Sequence, residues 1–447
     1  MWTDPTLSDW ALLCAGRLLG DDVVISDIST DSRSLKEGDI YVALTGPFFD
    51  GHNYITTAVH KGARAIVVHH PIAGLAIAQL VVADTKKALG SLAGLLREGF
   101  SGQVIALTGS AGKTSTRAML ENILALQPGL LSTEGNFNND IGVAKTWFRL
   151  SDRHQRVLLE FGANAPGEID WLGSISRPHF SLLINAGAAH TEGFGGLDGV
   201  RKAKGEIIDR TDIKGGCILN QDDPAFTHWL KRAGDRRVLS FGKHTDADVC
   251  LLAFTSTGRW SEFTLSLPDG DISVGWPMLG RHMALNAAAA AATAWLAGVS
   301  SLDIAEGLSA MKPEPGRMEP VESNHGGALI HDAYNASPVS FQAAIDVLAD
   351  IGGDTLLIAG DMAELGTESE AYHREIGQYA RGKIGSLWAV GEQAGQMVMA
   401  FDGRHFNSIA ELLAMLPARI DNATTILVKG SRSSGMERVI DALRRRH

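Results

Sequence analysis

The stretch VIALTGSAGKTSTRAML, residues 104–120, sets a lysine and two hydroxyls behind a pair of glycines. Those residue types in that order suit phosphate. Backbone N–H groups and the dipole of a starting helix face the anion, Lys113 adds a point charge, and the Thr114 hydroxyl can ligate magnesium. The common pattern G-x-x-x-x-G-K-[ST] requires a glycine where this chain has Leu107. Gly109 still permits a tight turn, so a shorter cradle made of Gly109, Ser110, Ala111, Gly112, Lys113, Thr114 and Ser115 is workable. Nucleotide binding is the expectation.

Other residues could handle metal or charge. Glu160 ends the apolar run RVLLE, which puts its carboxylate at the mouth of a strand. His190 follows FSLLINAG across the small-residue segment AGAAH. A hard cation prefers oxygen ligands, so one imidazole among carboxylate, phosphate and water is tolerable without being diagnostic. Lys204 lies in GVRKAKGEIID with Arg201 and Lys202, and by itself this reads as a solvated basic face.

The elements that must position these residues are of α/β type, because short apolar runs alternate with helical patterns. RAIVVHH and AIAQLVVAD read as strands, followed by a helix with Leu89, Leu92, Ala93 and Leu96 on one face and Thr85 as its cap. RVLLEFG, FSLLINAG, GCILN and RVLSFG continue the strands, and Met119, Leu120, Ile123 and Leu124 mark the buried face of the helix after the phosphate loop. From Val249 to Trp276 the pattern changes to antiparallel strands joined by turns such as Pro268-Asp269-Gly270. The proline-rich MKPEPGRMEP is the clearest linker, and the alternating pattern beyond it predicts a Rossmann-like domain in which Ser337 and Pro338 open a helix. The expected division is 1–100, 101–312 and 313–447.

The chain has 447 residues, 45% hydrophobic and 20% charged, and a formal charge of −11. A basic stripe of the kind that binds nucleic acid is missing. Cys14, Cys217 and Cys250 form no C-x-x-C pair and read as buried small hydrophobes. The longest apolar run, Ala287 to Val299, is shorter than the ~18 residues a membrane span needs. Acids stand near the N-terminus where a signal peptide carries basic residues, so a cytoplasmic protein is expected. With no oligomerisation signature, monomer is the default.

The variant loop TGSAGKTS resembles that of the Mur ligases, ATP-dependent enzymes that build the peptide stem of the bacterial cell-wall precursor. TEGNFNNDIG (133–142), EFGANAPGEI (160–169), NAGAAHTEGFG (185–195), RKAKGEI (201–207), DAYNASP (332–338), GDMAELG (360–366) and LVKGSRSSGMERV (427–439) are similar to the branch that adds D-alanyl-D-alanine to UDP-N-acetylmuramoyl-tripeptide. STDSRSLKEGDIYVALTGPFFDGH (29–52) is similar to that family's UDP-binding domain. The resemblance implies three domains: a small α/β UDP-binding domain, a central, mostly parallel-sheet P-loop ATPase domain, and a Rossmann-like domain for the incoming dipeptide. It implies ATP and Mg²⁺ as cofactors, with Thr114, Glu160, His190 and a carbamylated Lys204 at the metal; Lys202 is the alternative lysine. Lys113, Lys204 and His190 are the implied catalytic residues, and Asn286, Arg317 and Asp332 the implied nucleotide contacts outside the loop. Ser32, Arg33, Asn136, Asn138, Asn139, Tyr334 and Asn335 are the implied substrate contacts.

Two positions depart from the family pattern. Met283 stands where the helix start G-x-H-N-x-x-N has its first asparagine, and Ser337 replaces the second asparagine of D-x-Y-N-A-N-P. A serine still caps a helix but gives up an amide contact. A related amide ligase, adding another residue or acting as a folylpolyglutamate synthase, is the nearer alternative, though the D-N-P-R signature of diaminopimelate addition is absent. A nucleotide-binding regulatory module is the more distant one.

Overall fold

Alternate residues of a strand face opposite sides of its sheet, and the C-terminal part of the chain shows the consequence. Ile330, Leu357, Leu387 and Leu427 belong to one core with Phe341, Ala344, Ile345 and Ile376 from helices Pro338–Ile351 and Ser369–Ala380. Their neighbours Leu329, Leu356, Ile358, Ile426 and Val428 belong to another, with Leu412, Val439 and Ile440. A sheet covered on both faces needs near-continuous apolar strands, which is why LIHD, TLLIA, SLWAV and TILVK read as they do. The strand order is Glu319–Val321, Leu329–Asp332, Thr425–Lys429, Thr355–Ala359, Ser386–Val390 and Arg404–Phe406. The first pair is antiparallel and the rest are parallel. Ser337 caps Pro338–Ile351 in a reciprocal box with Ser340, with proline in the first turn as expected.

The computed structural model describes residues 5–187, 191–257 and 259–445. Contacts divide the chain into two units, one of Met1–Val104, Leu131–Phe161 and Trp171–Arg177, the other of Ile105–Leu130, Gly162–Asp170 and Pro178–His447. In the first unit a five-stranded sheet runs Arg17–Leu19, Ala78–Val81, Ala65–Val68, Ile40–Val42, Ile28–Ser29, parallel except at its Arg17–Leu19 edge. Helix Thr85–Gly99 buries Leu89, Leu92 and Ala93, while Leu96 is only partly covered. Its cap is Asp84, not Thr85: the carboxylate accepts from the Lys86 and Lys87 N–H groups at 2.8 and 3.0 Å. The buried Thr85 hydroxyl instead donates to the Ala43 carbonyl at 3.0 Å. A carboxylate beside a helix start also gains from the macrodipole, which a hydroxyl does not.

In the second unit seven strands lie in the order Gly270–Trp276, Ser261–Leu267, Val249–Ser256, Arg237–Gly242, Gly216–Asn220, Phe180–Leu183, Gln103–Thr108. The last five are parallel, and the first two add antiparallel hairpins, as the change of pattern predicts. The alanine-rich helix Arg281–Leu296 is buried almost all round, with Ala287 to Ala292 fully covered. Small side chains let it pack closely, and a helix apolar on every side must be enclosed. Among the described residues no helix is long and apolar enough to cross a membrane.

Candidate active site

The phosphate loop forms where a buried strand runs out and a helix starts without a side-chain cap. Strand Gln103–Thr108 gives way to Gly109–Gly112, and helix Lys113–Leu124 follows. Gly112 is its cap residue, at φ 79°, in the left-handed region. The Lys113 ammonium donates to the Gly109 carbonyl at 2.7 Å, which holds the charge over the loop. Thr114 and Ser115 occupy the first turn, and Ser115 is buried. Asn185, just past strand Phe180–Leu183, pins the loop from outside. Its Oδ1 accepts from the Ser110 and Ala111 N–H groups, both at 3.0 Å, and its Nδ2 donates to the Ala111 carbonyl at 3.1 Å. The Ser110 hydroxyl donates to the Gly187 carbonyl at 3.0 Å. Sequence reasoning passes over Asn185 even though it opens the NAGAAHTEGFG motif.

Asn286 reaches the same loop from helix Arg281–Leu296. A Cβ at Gly112 would meet its side-chain Nδ2 and Oδ1 at 2.9 Å. Asn286 Nδ2 also makes a long contact of 3.9 Å with Met283 Sδ, so the methionine that departs from the family pattern packs against the asparagine that is retained. Gly112→Ala is expected to weaken ADP binding at least tenfold, because it adds roughly 1–2 kcal/mol of left-handed strain to a clash with Asn286. Titration calorimetry showing unchanged affinity would refute this.

Lys204 ends helix Leu197–Lys204 and is 2% exposed, whereas Lys202 is exposed. Burial, helped by the Lys113 ammonium and opposed by Glu168 and Glu206, brings the Lys204 amine down to about 7. Its Nζ lies 5.5 Å from the centroid of the Phe194 ring. An amine in such surroundings is largely neutral just above neutral pH, as attack on an electrophile requires. His190 lies outside the described residues. Glu160 ends strand Arg156–Glu160, is buried, and accepts from Asn138 Nδ2 at 2.9 Å. Of its neighbours in sequence, Asn139 caps helix Asp140–Phe148 through the Gly142 N–H, and the Asn136 carbonyl accepts from the Asn138 N–H at 2.8 Å.

At the first-unit turn Ser32 is buried and Arg33 is extended into solvent. The Arg33 guanidinium forms a fork with the Asp31 carboxylate, Nε–Oδ1 3.0 Å and Nη2–Oδ2 2.8 Å. That pairing holds the Asp31 carboxyl down at about 2.

At the end of the six-stranded sheet, Arg317 lies over the Tyr334 ring with its Cζ 4.3 Å from the centroid, and Arg432 approaches the same ring at 5.7 Å. Asp332 forms a buried ion pair with Lys429, Oδ2–Nζ 2.6 Å, and Lys429 also donates to the carbonyl of the exposed Asn335 at 3.1 Å. Removing one partner of such a pair typically costs about 3–5 kcal/mol. Nearby, burial pushes the His282 imidazole down to about 4, with Lys429 helping and Asp332 and Asp346 opposing. The unfolded chain takes up this proton near pH 6.5 and the folded chain only near pH 4. Stability is therefore expected to fall as pH drops from about 6.5 to 4, by at most about 3 kcal/mol, and the loss should shrink in His282→Gln. Urea unfolding at pH 7 and 4.5 measures it, and equal slopes for both proteins would count against the assignment.

Three family models match in chain order: Mur ligase family, catalytic domain, over 24–94; Mur ligase middle domain over 107–294; and Mur ligase, glutamate ligase domain over 316–432. The UDP-N-acetylmuramoyl-tripeptide--D-alanyl-D-alanine ligase of Escherichia coli K12 is 40% identical over 443 residues, covering 98% of each chain. The chain belongs to the Mur ligase family. A crystal structure of MurF from Acinetobacter baumannii superposes with a TM-score of 0.91 at 35% identity, covering 98% of each chain. A MurF ligase from Thermotoga maritima in complex with ADP gives 0.85 at 28% identity, covering 93% of this chain and 96% of that one. Mur ligases are ATP-dependent, and in this member the phosphate loop, Asn286 and Asn185 come together in one place. Arg317, Asp332, Tyr334 and Asn335 gather at the end of the six-stranded sheet.

Proposed function

We propose that this Mur ligase joins D-alanyl-D-alanine to UDP-N-acetylmuramoyl-tripeptide, forming ADP and phosphate. The observation that carries the reading is the loop: a left-handed Gly112, the inward Lys113 ammonium and Asn286 packed on the glycine build a phosphate cradle in a chain related over 98% of its length to a ligase of that name.

A carboxylate does not accept an amine directly, since it repels nucleophiles and oxide is a poor leaving group. ATP supplies the remedy by transferring its γ-phosphoryl group to the tripeptide carboxylate, giving an acyl phosphate and ADP. The dipeptide amine adds to that carbonyl, the tetrahedral intermediate expels phosphate, and the amine proton is lost. Lys113 and the helix start hold the transferring phosphoryl group and offset its charge. Tyr334 and Asn335 belong to the peptide end of this reading, and Ser32 and Arg33 to the uridine diphosphate end, where an arginine fork suits phosphate once it leaves Asp31.

Magnesium prefers hard oxygen donors, and a threonine hydroxyl and a buried carboxylate are donors of that kind; a cation shared with phosphates needs few protein ligands. Among the described residues no group of three or more His, Cys, Asp or Glu side chains forms a cage. Thr114 and Glu160 are the proposed holders, with His190 and a carbamate on Lys204, and the ion would neutralise charge on the phosphates. Lys204 gains that carbamate when its neutral amine adds to CO₂ and releases a proton. The division into 1–100, 101–312 and 313–447, a cytoplasmic location and a monomeric state complete the reading; the gaps between the three matched segments support the boundaries.

The deciding experiment is phosphate release with UDP-muramoyl-tripeptide and D-alanyl-D-alanine together, against each alone and against UDP-muramoyl-dipeptide with single amino acids. Release that needs both proposed substrates is expected. Release with the dipeptide precursor instead would point to another Mur-type ligase.

A further inference from the structure

We propose that Lys429 is a positioning residue for the nucleotide: it latches the linker segment carrying Arg317 to the end of the six-stranded sheet. The proposal rests on the ligase reading, in which Arg317 and Asp332 meet ATP.

Lys429 is the last residue of strand Thr425–Lys429, and parallel register sets it beside Asp332, the last residue of Leu329–Asp332. At 2% exposure it is too deep to meet a ligand itself, yet it carries an ammonium. That charge is used twice, on Asp332 Oδ2 at 2.6 Å and on the Asn335 carbonyl at 3.1 Å. The other Asp332 oxygen, Oδ1, accepts from the Met318 N–H at 3.2 Å. On the far side of Arg317, the Gly316 carbonyl accepts from the Tyr334 N–H at 3.2 Å, and the Gly316 N–H donates to Glu319 Oε2 at 3.0 Å. Both neighbours of Arg317 are therefore tied to residues 332–334, and Lys429 grips that turn at 332 and 335. Met318 takes the left-handed φ of 50°, a conformation that persists when surrounding bonds impose it. Without the ammonium, Asp332 Oδ2 loses its partner, and the Met318 bond that helps to hold the Arg317 backbone is no longer braced from the sheet.

Removing one partner of a buried ion pair lowers stability whatever its role, so the latch and a purely structural role are separated by kinetics measured on folded protein. Lys429→Met, Lys429→Arg, Asp332→Asn and the Lys429→Met/Asp332→Asn double variant are compared by KM for ATP, kcat, ADP affinity and thermal unfolding. The latch predicts that Lys429→Met raises KM for ATP and Kd for ADP at least tenfold in folded protein. Lys429→Arg should recover part of this, and the double variant should be no worse than Asp332→Asn, since Lys429 acts through that carboxylate. Should Lys429→Met fail to fold, Lys429→Arg carries the comparison: a raised KM for ATP in folded protein is expected and an unmoved KM overturns the latch, while Asp332→Asn, whose carboxylate meets ATP in this reading, serves only as the reference for the double variant. A fall in kcat with KM and Kd unmoved overturns the latch, since it reports fewer active molecules and no displaced Arg317. Wild-type protein and Lys113→Ala serve as controls. If the wild type binds no ADP, or binds it independently of Lys113, the ligase reading fails; if it binds and Lys429→Met binds equally well, only the latch fails.

Discussion

Lys113→Ala is expected to abolish ADP formation, with kcat lowered by about a thousandfold or more, the order of magnitude for removing a charge that stabilises a transferring phosphoryl group. The lysine opens helix Lys113–Leu124 and bends its ammonium to the Gly109 carbonyl at 2.7 Å, which sets its charge over the loop. The loop itself should largely survive, because Asn185 and Gly112 still hold its shape after the Lys113–Gly109 bond is lost. Thermal unfolding should therefore stay near the wild-type value while turnover, measured by coupled ADP detection, disappears. Turnover within a fewfold of wild type would sink the assignment.

Lys204→Ala should impair phosphoryl transfer by about a hundredfold or more while leaving ADP affinity within a fewfold, if the residue serves as a carbamate near the transferring group. Its buried amine can lose a proton near neutrality, and Lys202, two residues away, is solvated. The two lysines separate cleanly in one experiment. With ¹³C-labelled bicarbonate, a carbamate carbon resonance is expected in the wild type and in Lys202→Ala, and absent in Lys204→Ala. A signal that vanishes with Lys202 instead would move the role. Unchanged acyl-phosphate-dependent isotope exchange in Lys204→Ala would remove the role altogether.

Much of the fold was legible because buried parallel strands leave continuous apolar runs. FSLLINAG, GCILN, TLLIA and TILVK each became a strand, and the Val249–Trp276 segment became antiparallel. Helix ends were less secure. Thr85 is a reasonable cap by composition, but Asp84 stands one residue earlier and the Thr85 hydroxyl is taken by the Ala43 carbonyl. Local rules rank capping residues and cannot see a partner more than forty positions away.

The sequence by itself determined the phosphate loop, the α/β class and the family, since each is written in short local segments: a strand, two glycines, a lysine and a helix start for the loop, and a series of motifs between residues 29 and 439 for the family. Through the family resemblance it also pointed to Lys204, with Lys202 as the alternative two residues away. Only the tertiary structure decided which lysine is buried, that Asn185 braces a loop 75 positions earlier, and that Lys429 faces Asp332 across 97 residues. The physical reason is register. Parallel strands bring their C-terminal ends side by side whatever their distance in sequence, and the charges that meet there are set by sheet order, which no local pattern encodes.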